Sequence, residues 1–151
     1  MLKTKIKAAQ ILDKAKVEYN LIKLKIRGRN VGCKELFKEP ESTFKTIVLV
    51  DKNGKRYAFS IKLDGMIDFS KVKDIVGSKV RLAKKEELED EGFEPGEVCP
   101  VLVKLPLFVD RELMKFEWFN CGSGDLDYGL EMQVKDLKKV RDFKLVDVKR
   151  A

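Results

Sequence analysis

The residues Gly92-Phe93-Glu94-Pro95-Gly96-Glu97-Val98-Cys99-Pro100-Val101 hold two glycines and two prolines in ten positions. Gly96 frees the backbone for dihedrals that other residues avoid. Pro95 and Pro100 fix φ and remove two N–H donors. A loop of this kind is stiff and can present bare N–H groups to a ligand, although the same composition also makes an ordinary turn. Two other features have chemistry to offer: Lys45 at the start of an apolar strand, and a second glycine loop, Gly122-Ser123-Gly124. That second loop supplies only G-x-G. No G-x-x-x-x-G-K-[ST] loop and no G-x-G-x-x-G after a strand is present, so a phosphate cradle has little support.

The chain has no histidine among its 151 residues. That excludes Ser-His-Asp and Cys-His catalysis, histidine metal sites and a histidine general base. Chemistry must come from lysine, carboxylates, backbone dipoles, water or the substrate itself. The three cysteines, Cys33, Cys99 and Cys121, are odd in number and lack a C-x-x-C spacing. Neither a disulfide framework nor a zinc site is expected, and no metal or other cofactor is called for. Cys99 lies in the central loop and could line a pocket, but a nucleophilic cysteine usually needs a histidine beside it.

Lys and Arg outnumber Asp and Glu by 32 to 25, which gives a net charge of +7 and favours an anionic partner, nucleic acid first. Charged residues are 38%, with four Asn and two Gln, a balance that also fits a thermophile. No stretch approaches the ~18 apolar residues of a membrane span. The N-terminus has no apolar region after its charges, unlike a signal peptide. A cytoplasmic protein without membrane contact is expected, as one domain over residues 1–151 with a real core.

The elements that must hold these residues follow from periodicity. Residues 3–16 form an amphipathic helix carrying Ile6, Ala9, Ile11, Leu12 and Ala15. Val17 to Ile26 alternates as a strand, which Arg27-Gly28-Arg29 breaks. Asn30 can cap a short helix carrying Val31, Leu36 and Phe37. Thr43 to Val50 is a strand whose apolar run, Ile47 to Val50, marks burial on both faces. Asn53-Gly54 signals a hairpin, since both residues tolerate positive φ. Arg56 to Leu63 returns with Tyr57, Phe59, Ile61 and Leu63 on one face. Ser70 caps a helix from Lys71 to Val76, and Gly77 ends it. Val80 to Ala83 is a short strand and Lys84 to Glu91 a charged helix. Leu102 to Val109 is a strand that Pro106 places at an edge or a bulge. Asp110 can cap Glu112 to Met114, and Phe116 to Phe119 is an aromatic strand. Residues 120–125 form a flexible loop, and Tyr128 to Met132 returns to the sheet. A helix over Val134 to Val140 and a strand or tail over Phe143 to Val148 complete the chain. The mixture is α+β with a curved mixed β-sheet.

Several of these pieces resemble, in order, the YbaK/prolyl-tRNA synthetase-associated aminoacyl-tRNA editing domain family. Phe44-Lys45-Thr46-Ile47-Val48-Leu49 looks like its lysine-bearing strand. Lys79-Val80-Arg81-Leu82-Ala83 followed by Glu86-Glu87-Leu88 resembles the segment before its loop. Gly96 and Pro100 match its Gly-x-x-x-Pro loop. Phe108-Val109-Asp110, Gly122 to Gly124, Leu130-Glu131 and Asp136-Leu137 resemble the rest. The resemblance covers about residues 40–138 and implies a pseudo-barrel packed by short helices. It further implies a freestanding domain that hydrolyses the aminoacyl ester of a mischarged tRNA, with association with an aminoacyl-tRNA synthetase as a further partner. Lys45, Gly96 and Pro100 fall on catalytic positions. Lys45 would bind the terminal phosphate or the carbonyl, and backbone N–H groups from Gly96 to Val101 would hold the ester. The terminal ribose hydroxyl would activate the nucleophile. Val98, Cys99, Val101, Gly122, Ser123, Gly124 and Asp110 fall on substrate-binding positions. Asp110, Asp125 and Asp127 could order a water, though Asp110 also suits a helix cap. Trp118 and Phe119 could stack on a base, or pack in the core. Some members sort amino acids with a histidine in the last glycine loop, where this chain reads Ser123-Gly124-Asp125-Leu126-Asp127.

Two other readings share these residues. A non-catalytic RNA-binding module would bind tRNA in a strongly salt-dependent way without turnover. A small-ligand domain would bind an amino acid or a nucleotide in the same pocket without needing the tRNA body.

Overall fold

The computed structural model describes residues 5–27 and 34–151. The start of the first helix and the Gly28, Arg29, Asn30, Val31 and Cys33 positions lie outside the described residues. In chain order the helices are α1 (Lys7–Lys14), α2 (Phe69–Val76), α3 (Lys85–Asp90) and α4 (Leu137–Val140). The strands are β1 (Tyr19–Lys23), β2 (Phe44–Asp51), β3 (Arg56–Lys62), β4 (Val80–Leu82), β5 (Leu107–Asp110), β6 (Trp118–Gly122), β7 (Tyr128–Gln133) and β8 (Lys144–Val146). Among the described residues no helix is long and apolar enough to cross a membrane.

The strands divide between two sheets, ordered β1-β7-β6 and β4-β2-β3-β5-β8. The first is antiparallel throughout; in the second, β5 runs parallel to both β3 and β8. Among the described residues a parallel bridge between Thr43 and Asn120 joins them, and the mixture of helices with parallel and antiparallel strands keeps the α+β class. Strand alternation sends β2 side chains to two faces. Phe44 and Val48 enter a core with Leu12, Leu113, Leu130 and Met132, while Leu49 meets Tyr57, Phe59, Ile61 and Val72 on the other side. Phe59 is fully buried and stacks on Phe108 with ring centres 4.8 Å apart. The Ile47 to Val50 run therefore reads as a strand covered on both faces, as its pattern predicts.

Local chemistry shifts several boundaries. α1 buries Ala8, Ala9 and Leu12. It ends where Lys16 takes a positive φ of 59° and the Val17 N–H reaches back to the Leu12 carbonyl. In the β2–β3 turn only Gly54 has a positive φ, +87°. Asp51 holds the Asn53 and Lys55 N–H groups on its Oδ1, and that fixes Asn53 at negative φ. Leu63 falls just past β3 and is exposed rather than facing the core.

The cap of α2 is Asp68, not Ser70: its Oδ1 accepts from the Ser70 and Lys71 N–H groups at 2.9 and 3.2 Å. Both residue types cap helices, and only the backbone path chooses between positions two apart. Asp68→Ala is expected to cost about 1 kcal/mol in thermal unfolding, and Ser70→Ala a few tenths.

Pro106 does not interrupt an edge strand. Residues 102–106 are irregular, and β5 begins after the proline and lies between two neighbours. Placed ahead of the ladder, the proline removes no strand hydrogen bond, and its carbonyl accepts from the Ala58 N–H at 2.9 Å. β6 starts later than the aromatic run suggests and takes in Asn120, Cys121 and Gly122, which the sequence places in a loop.

Candidate functional site

The Thr43 carbonyl accepts from the Leu63 N–H, toward β3, and the Val48 carbonyl accepts from the Ala83 N–H, toward β4. Peptide groups alternate sides along a strand. On the β4 side, pairing with β2 covers only Leu49 to Asp51. Between that ladder and the bridge at Thr43, no described strand pairs with this edge of β2. A cavity of about 390 Å³ sits against this open edge, reached by Phe44, Lys45 and Thr46 of β2, Gly96 and Val98 of the loop, and Asn120, Cys121 and Gly122 of β6. Leu24, Phe37, Thr43, Leu63, Asp125, Tyr128 and Gly129 complete the lining.

The loop reaches the cavity through two successive turns. The Glu97 N–H donates to the Glu94 carbonyl at 3.1 Å, and Gly96 has φ +89°. Proline then glycine at the centre, with positive φ at the second, is the type II arrangement, which favours glycine there. The Glu97 carboxylate also takes the Glu94 N–H at 2.9 Å. The second turn spans Cys99 to Leu102, whose N–H donates to the Cys99 carbonyl at 3.1 Å; the Val103 N–H does so at 3.0 Å. The loop thus consumes the amides of Glu94, Glu97, Leu102 and Val103 internally, and its two prolines have none. Gly96 and Val98 are left as the loop residues in the cavity wall.

The two glycine loops, separate in sequence, touch. A Cβ on Gly122 would lie 2.8 Å from the Val98 carbonyl oxygen, and one on Gly124 (φ +89°) 2.7 Å from Leu102 Cδ1. The missing side chain at Gly122 is what lets the loop backbone lie on β6.

Lys45, Gly96, Val98 and Gly122 therefore gather at the cavity; Pro100, Cys99, Val101, Ser123, Gly124 and Asp110 do not line it. Pro100 is buried as the second residue of the Cys99–Leu102 turn, and Val101 is in the core. Ser123 is buried and pins its own turn: its Oγ donates to the Tyr128 carbonyl at 2.7 Å and accepts from the Asp125 N–H at 3.1 Å. Asp110 is a buried cap. Its Oδ2 takes the Glu112 N–H and its Oδ1 the Val148 N–H, both at 3.1 Å. Of the other candidates, Asp125 lines the cavity with its Oδ1 holding the Asp127 N–H at 2.8 Å, while Asp127 pairs with Arg27 at the surface. Trp118 and Phe119 are buried, and Lys38 lies 4.9 Å over the Trp118 ring, so packing rather than base stacking is their role.

Lys45 is half-buried and has no carboxylate partner among the described residues. Cys99 is fully buried, and burial pushes its thiol up to about 12. Burial also raises Cys121 well above the ordinary thiol range. At pH 8 the thiolate fraction of Cys99 is then roughly one in ten thousand, a poor nucleophile. Alkylation of the native protein at pH 8 should leave Cys99 and Cys121 unmodified, with both labelled after denaturation; peptide mapping by mass spectrometry reads this directly. Among the described residues no three His, Cys, Asp or Glu side chains gather as metal ligands would.

Sequence reasoning missed Asn120, which lines the cavity. The available signal was an asparagine directly after the aromatic run Phe116-Glu117-Trp118-Phe119, since a polar residue in such a strand is seldom fully buried without a purpose.

Residues 30–140 match the family model of the aminoacyl-tRNA editing domain. The chain belongs to the aminoacyl-tRNA editing domain family. The match contains the stretch that carried the resemblance and includes Lys45 and both glycine loops. Solved structures share the fold of this editing domain over nearly its whole length. The hypothetical protein APE2540 has 24% identity and a TM-score of 0.83, with 98% of this chain and 99% of that chain covered. A candidate trans-editing enzyme for prolyl tRNA synthetase has 21% identity and a TM-score of 0.81, with 97% of each chain covered. The fold also occurs within a larger candidate signal transduction protein from Marinobacter aquaeolei VT8. That likeness has 17% identity and a TM-score of 0.70, over 100% of this chain and 31% of that one.

Proposed function

We propose that this editing domain is a deacylase of the prolyl-tRNA editing type, acting in trans on mischarged aminoacyl-tRNA, with residues 1–151 as one catalytic unit. The observation that carries this reading is the convergence, at one cavity of about 390 Å³, of the Lys45 strand, the Gly96 turn and the Gly122 close approach. An aminoacyl ester is already activated. Water adds to its carbonyl carbon, the carbonyl oxygen takes negative charge, and the bond to the terminal ribose oxygen then breaks. That oxygen leaves with a proton, yielding a free amino acid and an uncharged tRNA. The protein must hold the ester and stabilise the oxyanion. Lys45 supplies a compact cation at the open edge of β2, and the Gly96–Val98 backbone supplies the opposing wall. With no histidine in the chain, the neighbouring hydroxyl of the terminal ribose serves to activate the water. The candidate trans-editing enzyme for prolyl tRNA synthetase, of the same fold, supports the prolyl assignment and an association with a synthetase.

The test is a panel of mischarged tRNAs, including alanyl- and cysteinyl-tRNA for proline, incubated with the purified protein. Release of one amino acid at catalytic protein concentration is expected. Binding that fades with salt and no release from any substrate would leave an RNA-binding module instead.

A further inference from the structure

We propose that Asn120 is a specificity-determining residue that hydrogen-bonds the side chain of the scissile amino acid, so that the site prefers hydroxyl-bearing aminoacyl esters over aliphatic ones of similar size. This rests on the deacylase reading.

Asn120 is 3% exposed, lines the cavity, and its Nδ2 has no hydrogen-bond partner among the described residues. An unpaired buried donor costs about 1–3 kcal/mol, so such groups call for an explanation. Its cross-strand neighbour does not supply a partner. Asn120 lies opposite Glu131 on β7, and Glu131 opposite Asn20 on β1. Glu131 gives one carboxylate oxygen to the Asn20 amide and the other to the Lys38 N–H. The buried carboxylate is satisfied by these two donors, and the Asn120 amide is left over.

Depth within the cavity decides which part of the substrate Asn120 meets. Gly96 is exposed and Lys45 half-buried, so the loop turn and the lysine mark the mouth. The ribose must stay near the mouth, because it remains joined to a tRNA body far larger than the cavity. The amino acid side chain is the part that enters deepest, and Asn120 belongs to that deep wall. In the free protein Nδ2 is shielded from the cavity; a turn of the Asn120 side chain brings it to a bound hydroxyl, which can accept from Nδ2 and donate to Oδ1. An aliphatic side chain leaves the amide unpaired, and a site built around a buried polar group discriminates against a substrate that leaves it unpaired.

The experiment compares kcat/KM for seryl-, threonyl- and alanyl-esters of one tRNA, using the wild-type protein, Asn120→Leu and Asn120→Ala. The wild type is expected to favour the hydroxyl-bearing esters over alanyl by roughly tenfold or more. In Asn120→Leu the hydroxyl-to-alanyl ratio is expected to fall by roughly tenfold to a hundredfold. That variant keeps the side-chain shape and deletes the orphan donor, so its Tm should not drop. Asn120→Ala should lower the ratio in the same direction. A uniform loss on all three esters would assign Asn120 to the shared ester or ribose and overturn the proposal. So would a wild type that prefers the alanyl ester, a result needing no variant, and it would leave the deacylase reading intact. Hydrolysis of none of the wider panel would overturn both.

Discussion

Lys45→Ala will lower kcat/KM on the best mischarged tRNA by about a hundredfold to a thousandfold, the usual loss when one stabilising donor is removed from a developing oxyanion. The lysine sits at the end of β2 beside the bridge that joins the sheets, at the mouth of the cavity. It is half-buried, and among the described residues no carboxylate neutralises it. Truncation therefore strands no buried counter-charge, and unfolding stability should change by no more than about 0.5 kcal/mol. Loss of activity without loss of fold is the signature sought. Lys45→Arg separates charge from shape: its planar, forked guanidinium cannot reproduce a compact ammonium, so only partial recovery is expected. Undiminished hydrolysis by Lys45→Ala would remove the lysine from the mechanism.

Gly122→Ala will impair both folding and turnover. The new Cβ would stand 2.8 Å from the Val98 carbonyl oxygen and 3.4 Å from the Glu97 carbonyl carbon. Both contacts are backbone, so no flexible side chain can swing aside, and the loop itself must move. Overpacking of this kind costs about 1–3 kcal/mol. Since Gly96 and Val98 line the same cavity as Lys45, a displaced loop would spoil the geometry proposed to hold the ester. A misplacement near 1 Å can cost about a hundredfold, so a loss of roughly tenfold to a hundredfold in kcat/KM is expected. Chemical denaturation and steady-state hydrolysis measure the two effects separately. Gly92→Ala is the contrast: with φ +89° it bears backbone strain, but nothing lies within 4 Å of its Cβ. It should lose stability while keeping the cavity wall in place. Equal activity for Gly122→Ala and the wild type would mean that the loop's seat on β6 is not what shapes the site.

The features legible from the amino-acid order are local ones. The Ile47 to Val50 run marks a strand buried on both faces, and Asn53-Gly54 marks the hairpin, although Asp51 decides that only Gly54 turns to positive φ. The order of Lys45, Gly96, Pro100 and the Gly122 loop carries the resemblance to the family, because those residues lie in one sequential pattern. The absence of histidine bounds the chemistry by composition alone, since no folding can supply an imidazole that the chain lacks.

Tertiary structure decided what depends on distant backbones meeting. Composition offers the loop's N–H groups as donors for substrate, yet those of Leu102 and Val103 go to the Cys99 carbonyl, an acceptor that composition cannot assign. Asp110 and Ser123 have the side chains of ligands but spend them on Val148 and Tyr128, partners 38 and 5 residues away. Asn120 belongs to a loop by sequence, and β6 carries it into the cavity wall. Side-chain type and spacing state what chemistry a chain can offer. Which groups remain free to perform it is settled only when the buried donors and acceptors have been paired.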